Sequence, residues 1–66
     1  MFPAKLKEVR EKKDLTQQEL VEKINKDRST VLNYETGDSK PTIYVLSDLA
    51  TALGVTTDYL LGRVEG

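Results

Sequence analysis

The sequence predicts an all-α domain, a compact bundle of five short helices. Three observations carry that reading. Apolar residues recur at helical spacing: Leu20, Val21 and Ile24 at i, i+1 and i+4, then Ile43, Leu46, Leu49, Ala50 and Leu53 at i, i+3, i+6, i+7 and i+10. Helix-start and helix-stop residues punctuate the chain at short intervals. No stretch alternates apolar and polar residues in the way a half-buried strand does.

The first helix is expected over Met1–Lys13. Pro3 suits its first turn, where a missing amide loses no bond, and Leu6, Val9 and Arg10 share one face. Asp14 ends it, because Asp tolerates the left-handed conformation better than most residues. The second helix opens on Thr16-Gln-Gln-Glu19, a capping box in which the Thr oxygen accepts from an amide one turn on and Glu19 reaches back. Thr16 and Glu19 read first as caps, while the free amides at Gln17 make a place for a phosphate. In the turn Ile24–Asp27, Asn25 takes the positive φ that Gly more often supplies, and Asp27 caps the next helix. The charge of Lys26 offsets that of Asp27 where phosphates would pass.

The third helix is expected over Arg28–Thr36, stopped by Gly37. The fourth runs from Thr42 to Leu53, after Pro41, and is stopped by Gly54. Thr56 caps a last helix through Leu61, with Asp58 in its first turn and Gly62 as terminator. Residues 1–62 make the domain, and 63–66 read as a tail or the start of a linker. The expected core is Leu6, Val9, Leu20, Val21, Ile24, Val31, Tyr34, Ile43, Leu46, Leu49, Ala50, Leu53, Val55, Leu60 and Leu61.

Composition narrows the function. A chain of 66 residues is near the lower limit for folding without staples, and it has neither Cys nor His. Disulfides and thiolate metal sites are excluded, and the commonest general base and metal ligand are missing. No enzyme, metal or cofactor is expected. No apolar run approaches the ~18 residues of a membrane span, and nothing resembles a signal peptide, so a cytoplasmic protein without membrane contact is the default. The net charge is −1, whereas nucleic-acid binders are usually basic. Its distribution is uneven. Residues 1–40 hold nine of the ten basic groups against eight acidic ones, while 41–66 set Arg63 against Asp48, Asp58 and Glu65.

Residues 16–37 are the stretch with functional character. They read as two helices joined by a tight turn, a helix-turn-helix. Val31 and Tyr34 lie three apart on the buried side of its second helix, and Arg28, Ser29 and Asn33 point elsewhere. These are side chains that read base edges in a major groove, and an Arg bonded to guanine O6 and N7 supplies about 1–3 kcal/mol of discrimination. For Arg28 the alternative is a phosphate contact or a solvated charge. Asn33 reads adenine or braces Gln17, and Ser29 touches a base or permits close approach. Leu32 flanks the polar face, where it meets a thymine methyl, a partner or only solvent. Tyr44, Val45 and Tyr59 are also expected to be partly exposed.

In this order and spacing, Leu-Thr-Gln at 15–17, Leu20, Arg-Ser-Thr-Val at 28–31, Tyr-Glu-Thr-Gly at 34–37, Lys40-Pro41, Leu49-Ala50, Ala-Leu-Gly-Val at 52–55 and Asp-Tyr-Leu-Leu-Gly at 58–62 resemble the Cro/C1-type helix-turn-helix family of phage-repressor and Xre-like regulators. The resemblance implies a lambda-repressor-like bundle whose third helix enters the major groove of double-stranded DNA. By position it implies base contacts from Gln17, Arg28, Ser29 and Asn33. It implies phosphate contacts from the start of the second helix, Thr16 included, and from Lys26, Thr30, Lys40 and Thr42. It also implies an internal salt bridge between Arg10 and Glu35, and a weak homodimer through Val55, Thr56, Thr57 and Tyr59, binding a palindromic operator as a repressor. Asn25, Val21 and Lys26 depart from the residues common at their positions. A second function class stands beside this one: a protein-interaction module, such as an antitoxin or a coactivator-like adaptor, toward which the low net charge and Leu32 point.

Overall fold

The computed structural model describes residues 2–63. Over them the chain forms α1 (Phe2–Lys12), α2 (Gln17–Ile24), α3 (Arg28–Thr36), α4 (Ile43–Leu53) and α5 (Thr57–Leu60). No strand occurs among the described residues. Met1 and 64–66 lie outside them, and so does all but Arg63 of the expected tail or linker.

Three helices start on threonine caps. The hydroxyl oxygens of Thr16, Thr42 and Thr56 accept from the amides of Glu19, Val45 and Tyr59 at 3.0, 3.2 and 3.1 Å. At Thr16 the box is complete, since its amide donates to Glu19 Oε1 at 2.9 Å. Each such cap contributes about 1 kcal/mol. Asp27 differs from expectation. It holds the extended N-cap conformation of α3, but its carboxylate makes no capping bond. The amide of Thr30 goes instead to the Asp27 backbone carbonyl at 2.9 Å.

All five helices end at a left-handed residue: Asp14 (φ 57°), Asn25 (φ 60°), Gly37, Gly54 and Gly62. Behind four of these the next amide reaches back to a carbonyl five residues earlier. Leu15 donates to Arg10 at 3.1 Å, Lys26 to Val21 at 3.0 Å, and Val55 and Arg63 to Ala50 and Asp58 at 2.9 Å. This is the Schellman arrangement, which satisfies carbonyls that a helix end otherwise leaves unpaired.

The core is Leu6 and Val9 of α1, Leu20, Val21 and Ile24 of α2, Val31 and Tyr34 of α3, Leu49, Ala50 and Leu53 of α4, and Leu60 of α5. Leu46 and Val55 pack against it half-buried. Two expected core residues lie outside: Ile43 is 74% exposed and Leu61 38%. Helical side chains lean toward the N-terminus, so that of Ile43, the first residue of α4, leaves the helix rather than covering one of its turns. Leu61 follows Leu60, which takes the inward position, and neighbouring helical residues point about 100° apart. Phe2 and Leu15, absent from the expected core, pack on it.

Helix α1 packs on α3 and α5, α2 on α3 and α4, and α4 on α5. Helix α3 is therefore gripped by α1 and α2 through Val31 and Tyr34, and its remaining side is left to solvent.

The turn at Asn25 sets how α2 leads into α3. Asn25→Ala places a residue with a Cβ and no polar side chain in the left-handed region, and should lower stability by about 1 kcal/mol. Asn25→Gly should hold or raise it. Urea denaturation measures both, and an unchanged Asn25→Ala midpoint would show that the turn relaxes without cost.

Candidate nucleic-acid interface

The candidate interface is built around a buried charge pair. Arg10 is on the core face of α1, its side chain 9% exposed, and pairs with Glu35 of α3, whose side chain is 4% exposed. Arg10 Nε donates to Glu35 Oε2 at 2.6 Å and Nη2 to Oε1 at 3.1 Å, a bidentate fork. The third nitrogen, Nη1, donates to the Leu15 carbonyl at 2.7 Å. Hydrogen bonding to Glu35 holds the guanidinium above its ordinary pKa, outweighing the burial that lowers it. A raised folded-state value for a cation means stabilisation that is present below the unfolded pKa, so Arg10 keeps its contribution throughout the ordinary pH range.

Glu35 also receives Gln17. The Gln17 amide nitrogen donates to Glu35 Oε1 at 3.1 Å, which ties the first residue of α2 to the last turn of α3. The brace for Gln17 is thus Glu35 rather than Asn33. Sequence reasoning had no signal for this bond, or for the Leu15 carbonyl as the third partner of Arg10, because both depend on how separate helices meet.

The remaining candidates lie around this frame. Arg28 and Ser29 are exposed on the first turn of α3, and Thr30 and Asn33 are half-buried. No side-chain hydrogen bond engages Arg28, Ser29 or Asn33 among the described residues, so their donors and acceptors are free for a ligand. Leu32 is 45% exposed beside them. Lys26 lies exposed in the α2–α3 turn, and Lys40 and Thr42 lie exposed ahead of α4. Thr16 and Thr42 use their hydroxyl oxygens as acceptors in the caps, which leaves each O–H free to donate to a phosphate. The structure joins Gln17, Glu35 and Arg10 directly. It joins none of the other candidate base or phosphate residues to one another by a side-chain bond.

The residues expected at a dimer interface sit apart, at the α4–α5 turn and on α5. Thr56 is exposed, and Val55, Thr57 and Tyr59 are half-buried. Val55, Thr56 and Tyr59 line a surface cleft with Val9, Lys12 and Lys13. Lys5 lies over the Tyr59 ring, 4.5 Å from its centroid, and bonds Glu8 at 3.1 Å. Its hydrogen bond to Glu8 raises the Lys5 pKa and lowers that of Glu8.

This arrangement, a helix gripped by two others with a free polar face and a tight turn before it, is a helix-turn-helix. Residues 6–60 match the family described as Helix-turn-helix. The chain belongs to the Cro/C1-type, Xre-like helix-turn-helix family. Among curated proteins it is similar to the HTH-type transcriptional regulator ImmR of Bacillus subtilis (strain 168), with 41% identity over 92% of this chain and 48% of that protein. It is similar also to an uncharacterized HTH-type transcriptional regulator, YqaE, of the same strain, at 38% identity over 92% of this chain and 53% of YqaE. The SPbeta prophage-derived uncharacterized HTH-type transcriptional regulator YonR of that strain is 36% identical over 92% of this chain and 56% of YonR. The chain thus spans about half the length of these relatives. No solved structure matches it significantly. As an Xre-like domain, it comes from a family whose members bind DNA and regulate transcription.

Removing one partner of a buried pair strands the other's charge and costs roughly 3–5 kcal/mol. Glu35→Ala should therefore lower the melting temperature by about 12 °C or more, at about 4–8 °C per kcal/mol in a domain of this size. Replacing both partners, Arg10→Met with Glu35→Leu, should melt much closer to the parent, because no charge is left buried. A double variant as unstable as Glu35→Ala would assign the stability to the pair itself.

Proposed function

We propose that this domain is the sequence-reading part of a transcriptional regulator. It places α3 in the major groove of double-stranded DNA and binds a palindromic operator as a dimer, most simply as a repressor. The observation that carries the reading is the free polar face of α3. Arg28, Ser29 and Asn33 make no side-chain hydrogen bond among the described residues, while Val31 and Tyr34 on the opposite side are buried. Arg28 is the guanine-reading residue, Asn33 reads adenine, and Ser29 and Gln17 complete the base contacts. Thr16, Lys26, Thr30, Lys40 and Thr42 meet phosphates and set the register of the helix on the duplex.

Size supports the dimer. The longest dimension of the Cα trace is 28 Å, whereas successive major-groove half-sites on one face of DNA lie about 34 Å apart. One copy carries one recognition helix and reaches one half-site. Two copies related by a two-fold axis, meeting through Val55, Thr56, Thr57 and Tyr59, reach both. The relatives named as HTH-type regulators support the regulatory role.

Selection of sites from a random duplex library at about 0.15 M salt, the ionic strength of cells, tests the reading. A two-fold symmetric consensus is the expected outcome. No enrichment would overturn it in favour of a protein-binding module, to which the exposed Leu32 would then contribute. On the selected duplex, Arg28→Ala should flatten the preference at one base pair of each half-site by about 1–3 kcal/mol. Lys40→Ala should weaken binding to all sequences alike and reduce the salt dependence by about one counterion per copy. The reverse pattern would exchange the two roles.

A further inference from the structure

We infer that Glu35 is a positioning residue for DNA recognition: by accepting from Gln17 it holds that side chain, before any duplex arrives, in the orientation in which it meets the duplex. The inference rests on the DNA-binding reading above.

The geometry is that of a rigid mount. Glu35 Oε1 accepts from Gln17 Nε2 and from Arg10 Nη2, both at 3.1 Å, and Oε2 accepts from Arg10 Nε at 2.6 Å. The carboxylate is thus fixed from α1 before it touches Gln17, and Arg10 is itself anchored on the Leu15 carbonyl at 2.7 Å. An ionised carboxylate only accepts, so it dictates which way the Gln17 amide faces. The nitrogen turns inward to Glu35. The carbonyl oxygen and the second N–H remain for a ligand.

Gln18, the next residue, provides the contrast. Its amide donates to Glu22 of its own helix, at 3.1 Å on the exposed surface, where neither side chain is held by a third. Electrostatics favours Glu35 in the mounting role. A carboxylate behind a DNA-facing residue repels phosphates unless it is neutralised, and the bidentate Arg10 neutralises it. A side chain already fixed in its bound orientation loses less freedom on binding, so the mount should appear as affinity and as base preference at the position Gln17 touches.

The test is a cycle on the selected duplex with four proteins: the parent, Gln17→Ala, Arg10→Met/Glu35→Leu, and the combination of all three changes. Melting curves establish that each is folded. Removing the mount should weaken binding in the Gln17 background about fivefold to fiftyfold, within the range for directly coupled neighbours. It should cause little further loss in the Gln17→Ala background. The same loss in both backgrounds, or none in either, overturns the inference, since a merely structural pair does not depend on the residue at 17. NMR of the unmodified chain gives a readout that needs no variant. The Gln17 side-chain N–H should exchange with solvent more slowly than that of Gln18, and equal exchange overturns the inference. A parent chain that selects no duplex refutes the functional reading instead and takes the inference with it, while the exchange measurement still reports on the Glu35–Gln17 bond.

Discussion

A guanidinium buried in the core of so small a domain must find acceptors for all its nitrogens, and the rest of the structure is arranged around the way Arg10 does so. Unpaired, it would carry a desolvation cost that a domain with a total stability of about 5–15 kcal/mol cannot absorb. Its three nitrogens reach Glu35 of α3 and the carbonyl of Leu15. The second contact depends on Asp14. Its left-handed conformation turns the chain so that the Leu15 amide donates to the Arg10 carbonyl while the Leu15 carbonyl accepts from the Arg10 side chain. The six residues Arg10–Leu15 thus close on themselves twice, and the end of α1 becomes a rigid support from which α3 is held.

That support explains how α3 can expose so polar a face. Short helices are marginal alone, and most of their stability comes from the face they bury. Helix α3 has nine residues and no side-chain cap. What keeps it formed is Val31 and Tyr34 against the core and Glu35 on Arg10. With those three positions committed, the side chains of Arg28, Ser29 and Asn33 make no hydrogen bond among the described residues, and on the proposed reading they serve a ligand. The low net charge fits this division. A domain with little excess positive charge gains little from non-specific attraction to phosphates, so on the proposed reading its binding leans on those few directed contacts.

Local chemistry was legible in the sequence, and contacts between separate helices were not. The capping box at Thr16 and Glu19, the left-handed stops at Asp14 and Asn25, and the bounds of α3 all follow from residues within one turn of each other, so spacing alone reveals them. Asp27 shows the limit of that logic: the right residue type took the cap position, but a backbone carbonyl took the bond. Ile43 kept the helical spacing of a core stripe yet lies exposed, because periodicity marks a face of a helix and cannot say where its partner ends. Leu15, between two helices, belongs to no stripe, so periodicity does not mark it as a residue that packs on the core. The pairing of Arg10 with Glu35 came from family resemblance, since nothing in the residues themselves links two positions on separate helices. The acceptance of Gln17 by the same carboxylate is likewise a product of packing.

The proposed dimer surface is of a different kind from the DNA face. Its aromatic, Tyr59, is already in use within the molecule, half-buried under Lys5, which is in turn held by Glu8. A partner meeting Tyr59 would gain only the area still exposed, and an α5 of four residues offers little more. Association through such a patch is weak by area alone. Two copies on adjacent half-sites meet at the high effective concentration that the duplex imposes, so even a weak contact adds to the binding of both. On this reading α5 contributes spacing rather than affinity. It sets the distance between two recognition helices, and the duplex supplies the concentration that brings them together.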